Sequence, residues 1–347
     1  AQEHWRDWRG DATILAPQLE YTLRPRYGPT VQWCDIPVPR LWRCGNRGNV
    51  ASVLIEKPGR SDFLPIVDGG YNLQYTPLME YREGRGMILF CQMDVTGRTE
   101  KDPVADTLLQ NLLQYVSEWK PSPVRTAVYA GEPAGRIHLE SSGFTVGNYS
   151  GGKLSSDQVL VLGPGGGRQW RTSKAAVAEW LKSGGHVLAI GLEQADADAL
   201  LATPVSFKRA EHISAFFAPN GIRSALRGIG PADLHNRDPR ELSLVVSGAA
   251  TIGDGVLATS RDANVVFCQI VPWQFDPTKQ SNLKRTYRRA SFAVSRLLAN
   301  LGVASTSPIL ARFSAPVELS KHEKRWTAGL YLEQPEEWDD PYRFFRW

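Results

Sequence analysis

Read for its alternation of apolar and polar positions, the chain holds a long central stretch in which short apolar runs alternate with amphipathic ones. VRTAVYA (124–130) predicts a strand, and HLESSGFTV (138–146) a short helix followed by a turn and strand. DQVLVLG (157–163) predicts a buried strand, and SKAAVAEWLKSGG (173–185) a helix closed by Gly184-Gly185. HVLAIG (186–191) is the next strand, and DADALLA (196–202) starts a helix. VVFCQI (265–270) is a late strand, and LKRTYRRASFAVSRLLANLG (283–302) a long helix ended by Gly302. In that helix Tyr287, Phe292, Val294, Leu297, Leu298 and Leu301 fall broadly on one face. Apolar strands alternating with helices predict a parallel sheet covered on both faces.

The late strand has a counterpart. GMILFCQMDV (86–95) and ANVVFCQIVP (263–272) share Phe-Cys-Gln, and each is followed by an Asp-Pro pair and a helical pattern. After the first copy comes TEKDPVADTLLQNLLQYV (99–116), with Leu108, Leu109, Leu112, Leu113 and Val116 as its apolar positions. Upstream, HWRDWR (4–9) is echoed by HNRDPR (235–240), with His4, Arg6 and Asp7 in the register of His235, Arg237 and Asp238. Two copies of one module are therefore expected. They are unequal. The first carries roughly 54 extra residues between its His and its Phe, a β-rich insertion over about 30–85 that includes VASVLIEK as a strand. The second has about 110 residues ahead of His235 that the first lacks. The expected organisation is the C-terminal half of a first module over 1–120, a second module over 121–303, and a strand with an aromatic tail over 304–347. An upstream continuation of the polypeptide is expected to complete the first module, a swapped or rearranged arrangement being the alternative. In the tail, RWTAGLYL (325–332) reads as a strand, and Trp338, Phe344, Phe345 and Trp347 as anchors packed on the body.

Composition narrows the function classes. With 347 residues, 42% of them hydrophobic and 22% charged, the chain can bury a sizeable core. A net charge of +4 from 40 basic and 36 acidic residues, without a Lys/Arg block, argues against nucleic acid as a partner. No apolar run is long enough for a membrane-spanning helix, so no membrane partner is expected. The opening Ala1-Gln2 fits a processed secreted protein or a fragment, and a periplasmic or secreted location is favoured over a cytoplasmic one. Cys34, Cys44, Cys91 and Cys268 form no CxxC, and the six His show neither HxH nor HExxH spacing. No metal or other cofactor is expected. Cys91 and Cys268 read as small core hydrophobes, while Cys34 and Cys44 are left open as a disulfide.

The loops carry the remaining chemistry. VLVLGPGGGRQW (159–170) places a Gly-rich turn after a buried strand, where backbone N–H groups can cradle a phosphate. Neither GxxxxGK[ST] nor GxGxxG is present, so a plain strand exit is the preferred reading. LVLGPGGG followed by a helix ending LKSGGHVLAIG resembles the class I glutamine amidotransferase-like fold. That family places a nucleophilic Cys at a sharp strand-to-helix elbow; here the matching stretch is Gly191, Leu192 and Glu193, with no Cys or Ser. WRGDATIL, WRCGNRGNVASVLIEKP, LQYTPLMEYREGRGMILFCQMDVTGRTEKDP and EWDDPYRFFRW resemble C-terminal portions of bacterial glycoside hydrolases of the β-galactosidase type, over most of the chain. The resemblance implies two tandem flavodoxin-like, amidotransferase-like α/β modules that are non-catalytic. It also implies a catalytic domain upstream or a homo-oligomer partner.

Two rival functions stay open at this point. A glycosidase needs two carboxylates about 5–10 Å apart. Glu80 and Glu83, or Glu336, Glu337, Asp339 and Asp340, are the candidates, although Glu80 and Glu83 read more simply as solvated carboxylates before a hairpin. A carbohydrate-binding module would use Trp42, Asn46, Arg47 and Asn49 in WRCGNRGN, which combine an aromatic face with amide and guanidinium donors. The eleven Trp fit sugar stacking, but equally a well-filled core.

Overall fold

The computed structural model describes residues 30–33, 36–39, 55–69, 75–93, 95–100, 102–202, 204–262, 264–275 and 283–306. The chain divides into two compact units, Ala1–Lys57 with Phe63–Pro121 and Ile309–Trp347, and Pro58–Asp62 with Ser122–Pro308.

In the first unit β1 (Thr30–Trp33) and β2 (Ile36–Pro39) form an antiparallel pair. β3 (Ile55–Glu56), β4 (Phe63–Gly69), β5 (Tyr75–Glu83) and β6 (Gly86–Cys91) form a second sheet, with β5 central and every pairing antiparallel. A two-residue turn, Gly84-Arg85, joins β5 to β6, and Gly84 supplies the left-handed φ of +59° that such a turn requires. Phe63, Met79 and Tyr81 make a small core, with the Phe63 and Tyr81 rings stacked at 4.6 Å. Helix α1 (Pro103–Glu118) opens on Asp102, whose carboxylate accepts from the N–H of Val104 and Ala105. Its Tyr115 hydroxyl donates to the buried carboxylate of Glu80 on β5, which also pairs with Arg82. Glu80 is thus a buried mid-strand anchor rather than a solvated turn carboxylate. The apolar run around it sets its depth, and Tyr115 and Arg82 make the burial tolerable.

The second unit is built on a seven-stranded sheet in the order β13-β14-β15-β10-β9-β7-β8. Its strands are β7 (Thr126–Ala130), β8 (Val146–Asn148), β9 (Gln158–Leu162), β10 (His186–Ile190), β13 (Ala250–Ile252), β14 (Leu257–Thr259) and β15 (Val265–Cys268). β8, β7, β9, β10 and β15 are mutually parallel. In chain order that is the 2-1-3-4-5 arrangement of a flavodoxin-like fold. β13 and β14 extend the sheet antiparallel at the β15 end. Helices α2 (Pro133–Ser141), α3 (Lys174–Lys182) and α4 (Gln194–Leu200) connect the strands, and α5 (Lys284–Asn300) follows β15. Two apolar clusters flank the sheet, one rich in α5 side chains and one joining α3 and α4. A separate antiparallel pair, β11 (Ser206–His212) and β12 (Arg240–Ser247), lies where the sequence pattern assigns no element. Its strands mix charged and apolar positions too irregularly to announce themselves.

The Phe-Cys-Gln repeat is real at the level of backbone geometry. Each copy ends a strand antiparallel to its predecessor, with Cys91 opposite Leu78 and Cys268 opposite Leu257. The Gln92 N–H donates to the Pro77 carbonyl at 2.7 Å, and the Gln269 N–H to the Val256 carbonyl at 2.8 Å. Cys91 Sγ lies 3.9 Å from the Met93 carbonyl, and Cys268 Sγ lies 3.6 Å from that of Ile270. A helix follows both. The far edges differ, because β15 pairs in parallel with β10 whereas β6 pairs only with β5 among the described residues.

Candidate functional site

In a sheet of this topology ligands bind beyond the carboxyl ends of the strands, at the switch point where the order reverses, here between β7 and β9. That crevice is occupied by the protein's own side chains. Tyr129 reaches past the end of β7 and donates its hydroxyl to the Glu132 carbonyl at 3.0 Å. A methyl group on Gly131, Gly135 or Gly163 would fall within 2.6 Å of that hydroxyl, so all three glycines are the space the ring requires. Burial raises the Tyr129 pKa first, and the nearby Glu132 charge adds to it, so the group stays a neutral packing element. Trp273, just after β15, donates its indole N–H to the Glu132 carboxylate beside the same crevice.

The Gly-rich loop after β9 already holds an anion. Asp196 is fully buried, and its carboxylate accepts the Gly165 N–H at 3.1 Å and both the backbone N–H and Nε of Arg168 at 3.1 Å. The donors that would cradle a phosphate are thereby taken by a side chain from α4. Close packing accounts for two of the glycines, since a Cβ would stand 2.2 Å from the Ala130 carbonyl oxygen at Gly166 and 2.0 Å from that of Asp196 at Gly167. The strand-exit reading holds, with a specific internal ligand.

At the elbow after β10, Gly191 adopts φ +60°, the left-handed geometry that a sharp strand-to-helix turn uses. A Cβ there would meet Val271 Cγ2 at 2.2 Å, so the turn keeps its backbone while any side chain would have to displace Val271. Leu192 is wholly buried in the core, and Glu193 is exposed, 3.5 Å from the Arg209 guanidinium. The elbow therefore presents no nucleophile, and its carboxylate, Glu193, faces Arg209.

The other candidates do not converge on this edge. His138 is buried between the rings of Trp273 and Tyr287, at 5.7 Å and 5.8 Å. Burial, with a smaller push from Arg60, lowers its pKa to about 4, so it is neutral near pH 7. His212 Nε2 lies 2.9 Å from the Leu234 carbonyl. Desolvation lowers the pKa of His235, with Arg289 and His212 adding to it. Arg237 and Asp238 form an exposed 4.0 Å pair, in keeping with a structural role for that motif. Burial pushes the Cys268 thiol up to about 12 and raises that of Cys91, leaving both as inert packing groups. Glu83 ends β5, whereas Trp42, Asn46, Arg47, Asn49, Cys34, Cys44, His4, Arg6, Asp7, Glu336, Glu337, Asp339, Asp340 and the tail aromatics lie outside the described residues. Among the described residues no group of three or more His, Cys, Asp or Glu is placed to hold a metal, and no helix is long and apolar enough to cross a membrane. Sequence reasoning missed Tyr129, Asp196 and Trp273; the partners of Asp196 and Trp273 are distant in the chain, and Tyr129 carries no local motif.

No family model matches the chain, and no curated protein matches it. Among solved structures, a chain described as "Structure of PurLQS from Thermotoga maritima" is similar at 10% identity, over 52% of this chain and 100% of that one, with a TM-score of 0.34. A score at that level bears on neither the fold nor the activity.

Proposed function

We propose that this chain is a non-catalytic accessory or oligomerisation region of a larger bacterial carbohydrate-active enzyme, a glycoside hydrolase of the β-galactosidase type. The observation that carries the non-catalytic part is the filled sheet edge: Gly191 supplies no nucleophile and packs against Val271, and Asp196 holds the Gly165 and Arg168 donors. Catalysis by acyl transfer needs a nucleophile and oxyanion donors; the elbow has no Cys or Ser, and the Gly165 and Arg168 N–H groups are engaged by Asp196. Support for the enzyme class is the sequence resemblance over most of the chain. Carbohydrate contact through the Trp42–Asn49 loop, and association with an upstream catalytic domain or another copy, belong to the same reading.

The test is direct. The 347-residue chain is assayed against aryl β-galactosides and against glutamine, and the polypeptide purified from its natural source is assayed alongside. Activity is expected only in the source protein, on the glycosides. Turnover by the 347-residue chain alone, lost in Glu80→Gln or Glu337→Gln, would make it an enzyme in its own right and overturn the proposal.

A further inference from the structure

The geometry points to the outer edge of β6 as the seat of a parallel strand from an α/β half-module, carried on polypeptide outside these 347 residues. This rests on the accessory-region reading above and names the partner of that region.

Unit 2 displays what such an edge takes. Because the Gln269 N–H turns toward β14, the alternation of a strand turns Cys268 the other way, and its carbonyl accepts the Gly191 N–H at 2.8 Å. The Val187 N–H likewise reaches the Asn264 carbonyl at 2.8 Å, so β10 lies along that edge, Val187 opposite Val265 through Ile190 opposite Cys268. In the first unit the Gln92 N–H turns toward β5 in the same register. Met87, Leu89 and Cys91 therefore present their backbone groups to the opposite edge, where no described strand pairs with them.

Side chains tell the same story. β15 is buried throughout, whereas Met87 to Cys91 of β6 are only partly covered. On α5, Leu297 and Leu298 are 0% exposed; on α1, Leu113 is 64% and Val116 48% exposed. GMILFC contains no charge and no Pro, the devices by which a permanent edge strand guards itself against pairing. An unguarded edge beside a half-covered apolar helix fits a surface that another element covers. The duplicated register specifies a parallel apolar strand like HVLAI, entering with its own helices.

The experiment is amide hydrogen exchange resolved by residue, on the 347-residue chain and on the polypeptide from its natural source. Ile88 and Phe90, which turn toward β5, are the internal reference. In the 347-residue chain Met87, Leu89 and Cys91 are expected to exchange at least about tenfold faster than that reference, and in the source protein as slowly as it. Equal protection in a monomeric 347-residue chain would overturn the inference, because the edge would already be covered. Protection that appears only as the 38.5 kDa chain doubles in mass would overturn it in favour of a second copy. Fast exchange in a source protein that carries the glycosidase upstream would overturn it while leaving the accessory reading standing.

Discussion

The two Phe-Cys-Gln strands share a register, a backbone hydrogen bond to the preceding strand and a following helix, yet one is sealed and the other half open. In the second unit β10 lies along the far edge of β15, and α5 buries its apolar face against the sheet. In the first, the described residues supply the near side only, with β5 along β6 and the Glu80–Tyr115 contact tying α1 to the sheet. The lesson is that local sequence builds the hairpin and starts the helix in both places, while burial depends on what arrives from elsewhere in the polypeptide. Stability should follow burial rather than the shared motif.

The sharpest way to break this comparison is to truncate the same residue in each copy. Phe267 is buried, and Phe267→Ala should cost about 3–5 kcal/mol in urea unfolding, whereas the half-covered Phe90 should cost roughly half as much or less. Equal losses would mean that the two strands are equally sealed.

A similar loss is expected at the ion pair that holds α5. Arg296 is completely buried and meets the Asp62 carboxylate at 2.7 Å. Asp62→Ala leaves that charge without its partner and should destabilise the second unit by about 3–5 kcal/mol, read by the same titration.

The next test sharpens the closed side of α5 through pH. His138 has a folded pKa of about 4 against an ordinary value of 6.5, so the unfolded chain binds more protons between those values. Its effect on stability is nil above pH 6.5 and grows as pH falls, reaching about 3 kcal/mol of destabilisation near pH 4. The melting temperature of wild type should therefore fall more steeply from pH 7 to 4.5 than that of His138→Gln; parallel slopes would show that the ring is not sequestered.

A smaller effect is expected where β10 ends. Gly191→Ala places a methyl against Val271 at a left-handed φ and should cost about 1–3 kcal/mol, with Val271→Ala relieving the clash part of the loss. Gly191→Cys should acquire no glutaminase activity, since Glu193 faces Arg209 and Asp196 occupies the Gly165 and Arg168 donors. The smallest change is expected on α1, where Leu113→Gln should stay within about 0.5 kcal/mol in the 347-residue chain.

Much of the frame was legible from the residues. Buried strands such as QVLVL and HVLAI announce themselves because both faces are apolar, and the ends of α3 and α5 because Gly184 and Gly302 follow them. The missing nucleophile at Gly191 was also written in the chain. Four strands between 203 and 264 were not legible, because the pairing of β11 with β12 and of β13 with β14 is settled by partners rather than by period. Nor was the burial of Glu80, which is tolerable because Tyr115, 35 residues on, comes back to meet its carboxylate.

What the sequence determined by itself is local: the core strands and helices outside 203–264, the duplicated strand and the absence of a catalytic side chain at the elbow. Each follows from residue types a few positions apart. Only the tertiary structure decided that the sheet edge is filled, because Tyr129 needs glycines from the exits of β7 and β9 and from α2, and Asp196 must cross from α4 to the loop after β9. The Asp196 contacts join residues about 30 positions apart, and it is chain topology, not local preference, that brings their groups within hydrogen-bond reach.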